Sequence, residues 1–316
     1  MDLSIIIPLY NEAESLGELS ERISEALRGH VSDYEIIFID DGSTDSSWQV
    51  IQQLRSDSSN IHGIRFRRNY GKSAALFCGF EAAQGDIVVT MDADLQDDPS
   101  ELPEMMRMIR EDGCDLVSGW KKKRYDNRLT KNIPSKIYNW AARRVTGIKL
   151  HDMNCGLKAY RNEVVKSIEV YGEMHRFIPY LAKNAGYDRI AEKVVKHQAR
   201  KYGTSKFGME RFMNGFLDLV TIAFLQKFGR KPMHLFGVVG TLMFLAGFIC
   251  AVWLIVEKLI RQSHGMVFRQ VADQPLFYAA IVCLMIGIML FLTGFVAELI
   301  SRNSAGRNTY NVKDRI

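Results

Sequence analysis

The sequence predicts an α/β protein built on a mostly parallel sheet and followed by a two-helix hairpin that crosses a membrane. Three observations carry this. Short β-branched runs alternate with segments of helical periodicity over the first 120 residues. Two uncharged stretches of 22 and 23 residues lie near the C-terminus. A dense acidic cluster, MDADLQDDP at 91–99, directly follows an apolar run.

The β-branched runs place strands at 4–9, 35–39, 61–66, 87–90 and 115–118. Strand and helix in alternation imply parallel strands with helices on both faces. Asn11 followed by Glu14, ahead of Leu16, Leu19 and Ile23, reads as an N-cap with its capping-box partner, so the first helix starts at once after strand one. Asp40, Asp41, Gly42 and Ser43 close strand two as a turn. Open α/β sheets bind ligands at the carboxyl ends of their strands, and Tyr10, Asn11, Asp40, Asp41, Asp92 and Asp94 all fall there.

At 316 residues with 47% hydrophobic content, the chain is long enough for a large domain plus an appendage and too apolar for disorder. The formal net charge of +5 is locally concentrated: residues 118–150 hold ten Lys or Arg against the single Asp126, which suits an anionic partner. Five cysteines at scattered spacing, with no C-x-x-C pair, indicate neither a disulfide framework nor a zinc site and fit a reducing compartment. The N-terminal MDLSIIIPLYNE has an acidic residue before its short apolar run, so it reads as a strand rather than a signal peptide.

Residues 235–256 and 275–297 each span roughly 33 Å as helices, against about 30 Å of bilayer hydrocarbon. A buried core hairpin is the competing reading, but such helices are shorter and keep a polar face. Lys227, Arg230 and Lys231 before the first span, with Arg302, Arg307, Lys313 and Arg315 after the second, outnumber Lys258, Arg261 and Arg269 between them. The large domain and the tail are therefore expected on the cytoplasmic face of the inner or plasma membrane. Apolar residues at helical spacing from Met209 to Phe224 suggest a helix lying in the membrane interface, with packing against the domain as the alternative. The expected boundaries are a catalytic domain at 1–206, an interfacial region at 207–230, the two spans within 231–300 and a tail at 301–316.

The acidic cluster carries the chemistry. Residues two apart at a strand end point the same way, so Asp92 and Asp94 can present carboxylates to one cation while Ala93 packs away. Oxygen ligands favour Mg2+ or Mn2+ over zinc. A lone D-x-D is weak evidence, because a solvated acidic turn is equally common.

Context is more specific. SIIIPLYNEAESL, IFIDDGSTDSS, RNYGKSAAL, MDADLQDDP, HDMNCGLKAY, RFIPYLA, ARKYGTSKFG and two C-terminal spans occur in that order. The chain thereby resembles, over essentially its whole length, the glycosyltransferase family 2 enzymes of the GT-A fold. It is most similar to the membrane-anchored polyprenyl-phosphate group: dolichol-phosphate mannose synthases, bactoprenol glucosyltransferases and undecaprenyl-phosphate aminoarabinose transferases.

The resemblance implies a nucleotide sugar donor held by Pro8, Tyr10, Glu12 and Asp40, with Asp40 reading the base. It implies a metal on the donor diphosphate held by Asp92, Asp94 and Gln96, and a diphosphate contact from Arg200, with Ser205 and Lys206 completing its motif. The lipid phosphate would meet Lys121, Lys131 and Ser135, where lysine replaces the family's arginine and loses bidentate geometry. Lys122, Lys123 and Arg124 read better as a solvated or lipid-facing run. Asp152 either orients the acceptor or a lysine, in a catalytic role beside Asp94 and Arg200, or caps the segment that follows it. His151 and His175 lack metal-ligand spacing and suit packing or surface roles. The partners implied are a nucleotide sugar, a polyprenyl phosphate and the bilayer, with no nucleic acid; some relatives are tetramers, which points to a homo-oligomer.

Rival readings meet specific obstacles. A phosphate loop ending at Gly71-Lys72-Ser73 needs glycine at position 66, where Phe66 stands. A dinucleotide fingerprint after strand one is absent from PLYNEAES. A processive polysaccharide synthase would carry Q-x-x-R-W, and RFIPYLA occupies that region. A membrane-anchored binding protein with an inactive site stays open as the non-enzymatic alternative. Among enzymes the first expectation for the donor is UDP-glucose, with GDP-mannose the runner-up and aminoarabinose also open.

Overall fold

The computed structural model describes residues 1–122, 140, 142–144, 146–198, 201, 221, 224, 228, 231–267 and 269–303. The chain divides into two compact units, a sheet domain and a helical hairpin, each described by itself.

In the sheet domain the strands are β1 (Leu3–Leu9), β2 (Tyr34–Asp40), β3 (Ile61–Arg65), β4 (Ile87–Thr90), β5 (Leu116–Trp120), β6 (Lys158–Arg161) and β7 (Ile190–Val194). They form one sheet in the order β3-β2-β1-β4-β6-β5-β7. Only β6 is reversed, antiparallel to both β4 and β5, while every other pairing is parallel. The helices are α1 (Ala13–Leu27), α2 (Ser47–Asp57), α3 (Lys72–Ala82), α4 (Leu102–Arg110), α5 (Asn162–Lys166) and α6 (Ile178–Asn184).

Strand β1 is buried on both faces, as an inner parallel strand requires. Leu3, Ile5 and Ile7 join the core cluster that holds Leu16, Leu19, Ile23 and Leu27 of α1, and each fully buried aliphatic side chain contributes about 1.5–3 kcal/mol. On the other face Ile6 packs against Gly79 of α3, where a Cβ would strike it.

The start of α1 corrects the expected capping box. The N-cap is Glu12 and makes no side-chain cap bond; Asn11 lies one residue earlier with φ of 55°. The helix entrance is instead tied down by the loop after β2: Ser47 Oγ accepts from the Glu12 amide at 3.0 Å, Asp45 Oδ2 from the Ala13 amide at 3.3 Å, and Asn11 Oδ1 from the Thr44 amide at 2.8 Å. DDGSTDSS thus orders two loops at once.

The hairpin consists of α7 (Met233–Ser263) and α8 (Pro275–Asn303). Both are long and apolar enough to cross a membrane, and in each only 17% of the apolar stretch is buried, which a core helix of a soluble domain would reverse. Gly240 and Gly247 on α7 face the Gly287 and Ala280 carbonyls of α8, so the backbones approach without side chains between them. Gly287 and Gly294 repeat the same seven-residue spacing on α8, the period that keeps one seam facing its partner. The expected interfacial helix at 207–230 lies almost wholly outside the described residues; Thr221, Phe224 and Phe228 are helical.

Candidate active site

Three parallel strands end side by side, with Leu9 paired to Asp40 and Asp40 to Arg65. The Asp40 carboxylate is fully buried: Oδ1 accepts from the Ser43 amide at 2.8 Å, and Oδ2 lies 3.3 Å from Arg65 Nε. Asp41 turns the other way and accepts from the amides of Tyr70 at 2.7 Å and Gly71 at 2.9 Å. Burial raises the Asp41 carboxyl, and those two bonds work against it. Directly after them Gly42 has φ of 73°, with a Cβ blocked by the Arg68 backbone. The paired aspartates therefore divide their work, one closing its own turn and one fastening the loop that delivers Lys72 at the start of α3. Pro8, Tyr10 and Glu12 lie half-buried on the same sheet edge.

The acidic ribbon alternates. Asp92, Asp94 and Gln96 are half-buried on one side, while Ala93, Leu95 and Asp97 point into the core. Asp94 Oδ1 accepts from the Gln96 amide at 3.2 Å, and Leu95 takes φ of 59° to make that turn. Asp97 is buried beneath, with Lys121 Nζ 2.7 Å from its Oδ1. The Lys72 ammonium rests on Asp92 Oδ1. Burial alone would raise the Asp92 carboxyl; Lys72 above all, with Lys121 and Lys158, outweighs it and holds the group well below the usual carboxylate range. Burial likewise works to lower the Lys121 ammonium, and Asp97 foremost reverses that and raises it.

The reversal of β6 explains what stands behind Asp92. An antiparallel strand begins at the edge where its neighbours end, so the turn ahead of Lys158 is brought against the acidic ribbon. Gly156 lies so close to the Asp92 carboxylate that a Cβ there would overlap it. Thr90 Oγ1 donates to the Gly156 carbonyl at 2.9 Å, and the Lys158 ammonium donates to the Cys155 carbonyl. Burial pushes the Cys155 thiol up to about 12, with the Lys121 charge working against it. Asp152 is buried in the same segment and accepts from the Asn154 amide at 3.3 Å, which is the capping geometry. His151 stacks on Trp120 with ring centroids 4.1 Å apart and meets Glu192 at 2.7 Å, while His175 Nδ1 lies 3.0 Å from Ser73 Oγ.

Asp92, Asp94 and Gln96, the residues expected to hold a cation, are compatible with one in chemical type, although the Lys72 ammonium already rests on Asp92 Oδ1 and an ion there would share or displace that contact. Their donors are all oxygen, and the alternation leaves them on one accessible face. Among the described residues no three His, Cys, Asp or Glu form a closed cage, so an ion held by Asp92, Asp94 and Gln96 would keep positions for water or phosphate oxygens, as Mg2+ does in open sites.

Lys121, expected on the acceptor phosphate, has its charge engaged by Asp97 within the fold. Arg200, Lys206, Lys131 and Ser135 lie outside the described residues. Gln198 is held beside the ribbon, its amide donating to the Gln96 carbonyl at 2.9 Å, so the chain leading to Arg200 passes the D-x-D-x-Q segment. Sequence reasoning did not assign Lys72, Lys158 or Asp97. Lys72 stood in plain view in RNYGKSAAL, but only the fold shows that it reaches Asp92.

Comparison with known proteins agrees with this arrangement. The sequence profile of glycosyl transferase family 2 matches residues 4–169. A dodecaprenyl-phosphate galacturonate synthase of Rhizobium johnstonii is 34% identical over 96% of this chain and 88% of its own. An undecaprenyl-phosphate 4-deoxy-4-formamido-L-arabinose transferase of Proteus mirabilis is 35% identical over 95% of this chain and 88% of its own. Among solved structures, glucosyl-3-phosphoglycerate synthase of Mycobacterium tuberculosis with Mn2+, UDP-glucose and phosphoglyceric acid superposes with a TM-score of 0.53 at 21% identity, covering 70% of this chain and 79% of that one. The same enzyme with Mg2+ and UDP gives 0.54 at 20% identity, covering 72% and 79%. At that identity the likeness speaks for the fold, a GT-A-like sheet in proteins crystallised with divalent cations. Full-length relatives and a profile spanning half the chain make this protein a member of glycosyl transferase family 2, an enzyme that transfers sugars.

Proposed function

We propose that the protein transfers one sugar from a nucleotide sugar to a polyprenyl phosphate at the cytoplasmic face of the membrane, with inversion at the anomeric carbon. The observation that carries this reading is the one-sided D-x-D-x-Q ribbon at the carboxyl edge of the sheet, on a chain that also ends in a membrane-length hairpin. Relatives named for polyprenyl-phosphate transfer, matched over nearly their full length, support the same acceptor.

The acceptor phosphate attacks the anomeric carbon, forming a bond from carbon to phosphate oxygen. The bond from that carbon to the nucleoside diphosphate breaks, and the leaving group takes the electron pair. A phosphate monoester has its second pKa near 6, so the nucleophile is already mostly dianionic at neutral pH and needs no strong base. Asp92, Asp94 and Gln96 would hold Mg2+ or Mn2+ on the donor, and the cation supplies neutralisation of charge on the departing diphosphate. Pro8, Tyr10, Glu12 and Asp40 would line the nucleotide, with Asp40 acting through the turn it closes. Arg200 and Lys206 would add positive charge at the diphosphate, Lys131 and Ser135 would receive the acceptor phosphate, and Lys121 would contribute at second hand through its pair with Asp97. Asp152, which accepts from the Asn154 amide at 3.3 Å, would order the segment leading to the turn behind Asp92, with orientation of the acceptor or a lysine as its alternative role.

The relatives' names shift the expected sugar from UDP-glucose toward a modified one, galacturonate or 4-deoxy-4-formamido-arabinose. The test is transfer in detergent with undecaprenyl phosphate and a panel of radiolabelled donors, including UDP-glucose, UDP-galacturonate, UDP-4-deoxy-4-formamido-arabinose and GDP-mannose. A glycolipid from one donor, lost on adding EDTA, supports the reading. A folded protein that binds nucleotide and transfers from none of them would favour a membrane-anchored binding protein.

A further inference from the structure

We propose that Lys158 is a positioning residue for Asp92: a buried ammonium that clamps the Cys155–Gly156 turn against the carboxylate on which the donor is held. This rests on the reading of Asp92 as a donor-binding residue.

Four observations lead there. Lys158 is 3% exposed, a rare place for a lysine, and forms no ion pair among the described residues. Its ammonium donates to the Cys155 carbonyl, next to the glycine that abuts Asp92. The register pairs Lys158 with Thr90 on one side and Ser118 on the other, and directly opposed residues share a face of the sheet. Thr90 lies two residues before Asp92 and holds the adjoining Gly156 carbonyl at 2.9 Å. Two bonds, one from each strand, therefore pin consecutive carbonyls of a single turn, and that turn is the wall behind Asp92.

Burying an ammonium beside one carbonyl costs stability and lowers the group's hold on its proton, so a gain in stability does not account for lysine at this position. Here the charge lies behind a carboxylate that must stay ionised and fixed in place. The wall also explains why position 156 is glycine, since the clamp brings the backbone too close for any side chain.

The experiment uses full-length protein in detergent and follows Mn2+ binding by electron paramagnetic resonance, with UDP and GDP offered separately. Lys158→Met keeps the length of the side chain and removes its charge; Asp92→Asn serves as the reference for the donor site. Outer partners of metal ligands typically change affinity by roughly 10–100-fold. Lys158→Met is expected to weaken Mn2+–nucleotide binding within that range and to raise the KM for donor, with the acceptor KM and the melting temperature held. Lys158→Arg is expected to recover most of the loss. Wild-type binding by Lys158→Met, alongside weakened binding by Asp92→Asn, would overturn the role of Lys158 alone. Unweakened binding by Asp92→Asn would overturn the donor-site reading and this proposal with it. A Lys158→Met protein whose melting temperature, donor KM and acceptor KM all deteriorate together would show a structural lysine and refute the positioning role.

Discussion

The ammonium of Lys72 rests on the carboxylate of Asp92, twenty residues further along the chain, and so joins the start of α3 to the end of β4 at one point on the sheet edge. The contact depends on Asp41, which holds the amides of Tyr70 and Gly71 just ahead of Lys72. Removing the Asp41 side chain should therefore act at a distance. Asp41→Ala is expected to lower donor affinity more than acceptor affinity, because it frees the loop that places Lys72. Equal loss of both would point to a general defect of the domain.

Gly156→Ala should be more damaging to transfer than to folding. The added Cβ overlaps the Asp92 carboxylate, and that side chain, half-buried at the sheet edge, is what must move. Misplacing a reacting group by about 1 Å is enough for a loss on the order of 100-fold. The check is kcat against urea stability. Wild-type transfer by this variant would show that the wall behind Asp92 has slack.

Gly42→Ala tests the turn after β2. A left-handed φ of 73° and the Arg68 backbone behind it leave no room for a methyl group. A loss of about 2–4 kcal/mol of stability is expected by urea denaturation, combining backbone strain with a steric clash. A loss below about 0.5 kcal/mol, the range of ordinary surface substitutions, would mean that the turn can open.

Lys121 and Lys131 should separate cleanly. Lys121→Ala leaves the fully buried Asp97 carboxylate without its counter-charge, a change that costs about 3–5 kcal/mol and should appear first as a folding defect. Lys131→Ala should leave the melting temperature unchanged and raise the acceptor KM far more than the donor KM. Identical behaviour of the two variants would contradict this division.

The first five strands were legible because apolar, largely β-branched runs bounded by turn residues leave little ambiguity, even for β3, which is only partly buried, and their observed limits differ from those expected by at most two residues. Strands β6 and β7 were not, because KAYR and IAEKV are short, mixed and charged, and become strands only by pairing with β4 and β5. Asn11 looked like a helix cap because its type and spacing fit. The structure gives it a left-handed backbone and lets residues thirty positions later cap the helix, a tertiary substitution that local pattern does not carry. Alternation put Asp92 and Asp94 on one face, and Gln96 joined them only through the family resemblance. Lys72, Asp97 and Lys158 were not legible, since each meets its partner through the fold rather than through neighbouring sequence.

The most direct test of the central claim compares wild type with Asp94→Asn in one assay, following by mass spectrometry the addition of a sugar to undecaprenyl phosphate with Mn2+ present and after chelation. The account predicts a glycolipid from wild type only with the cation, and none from Asp94→Asn despite an unchanged melting temperature. Wild-type turnover by Asp94→Asn, or undiminished product after chelation, would contradict it.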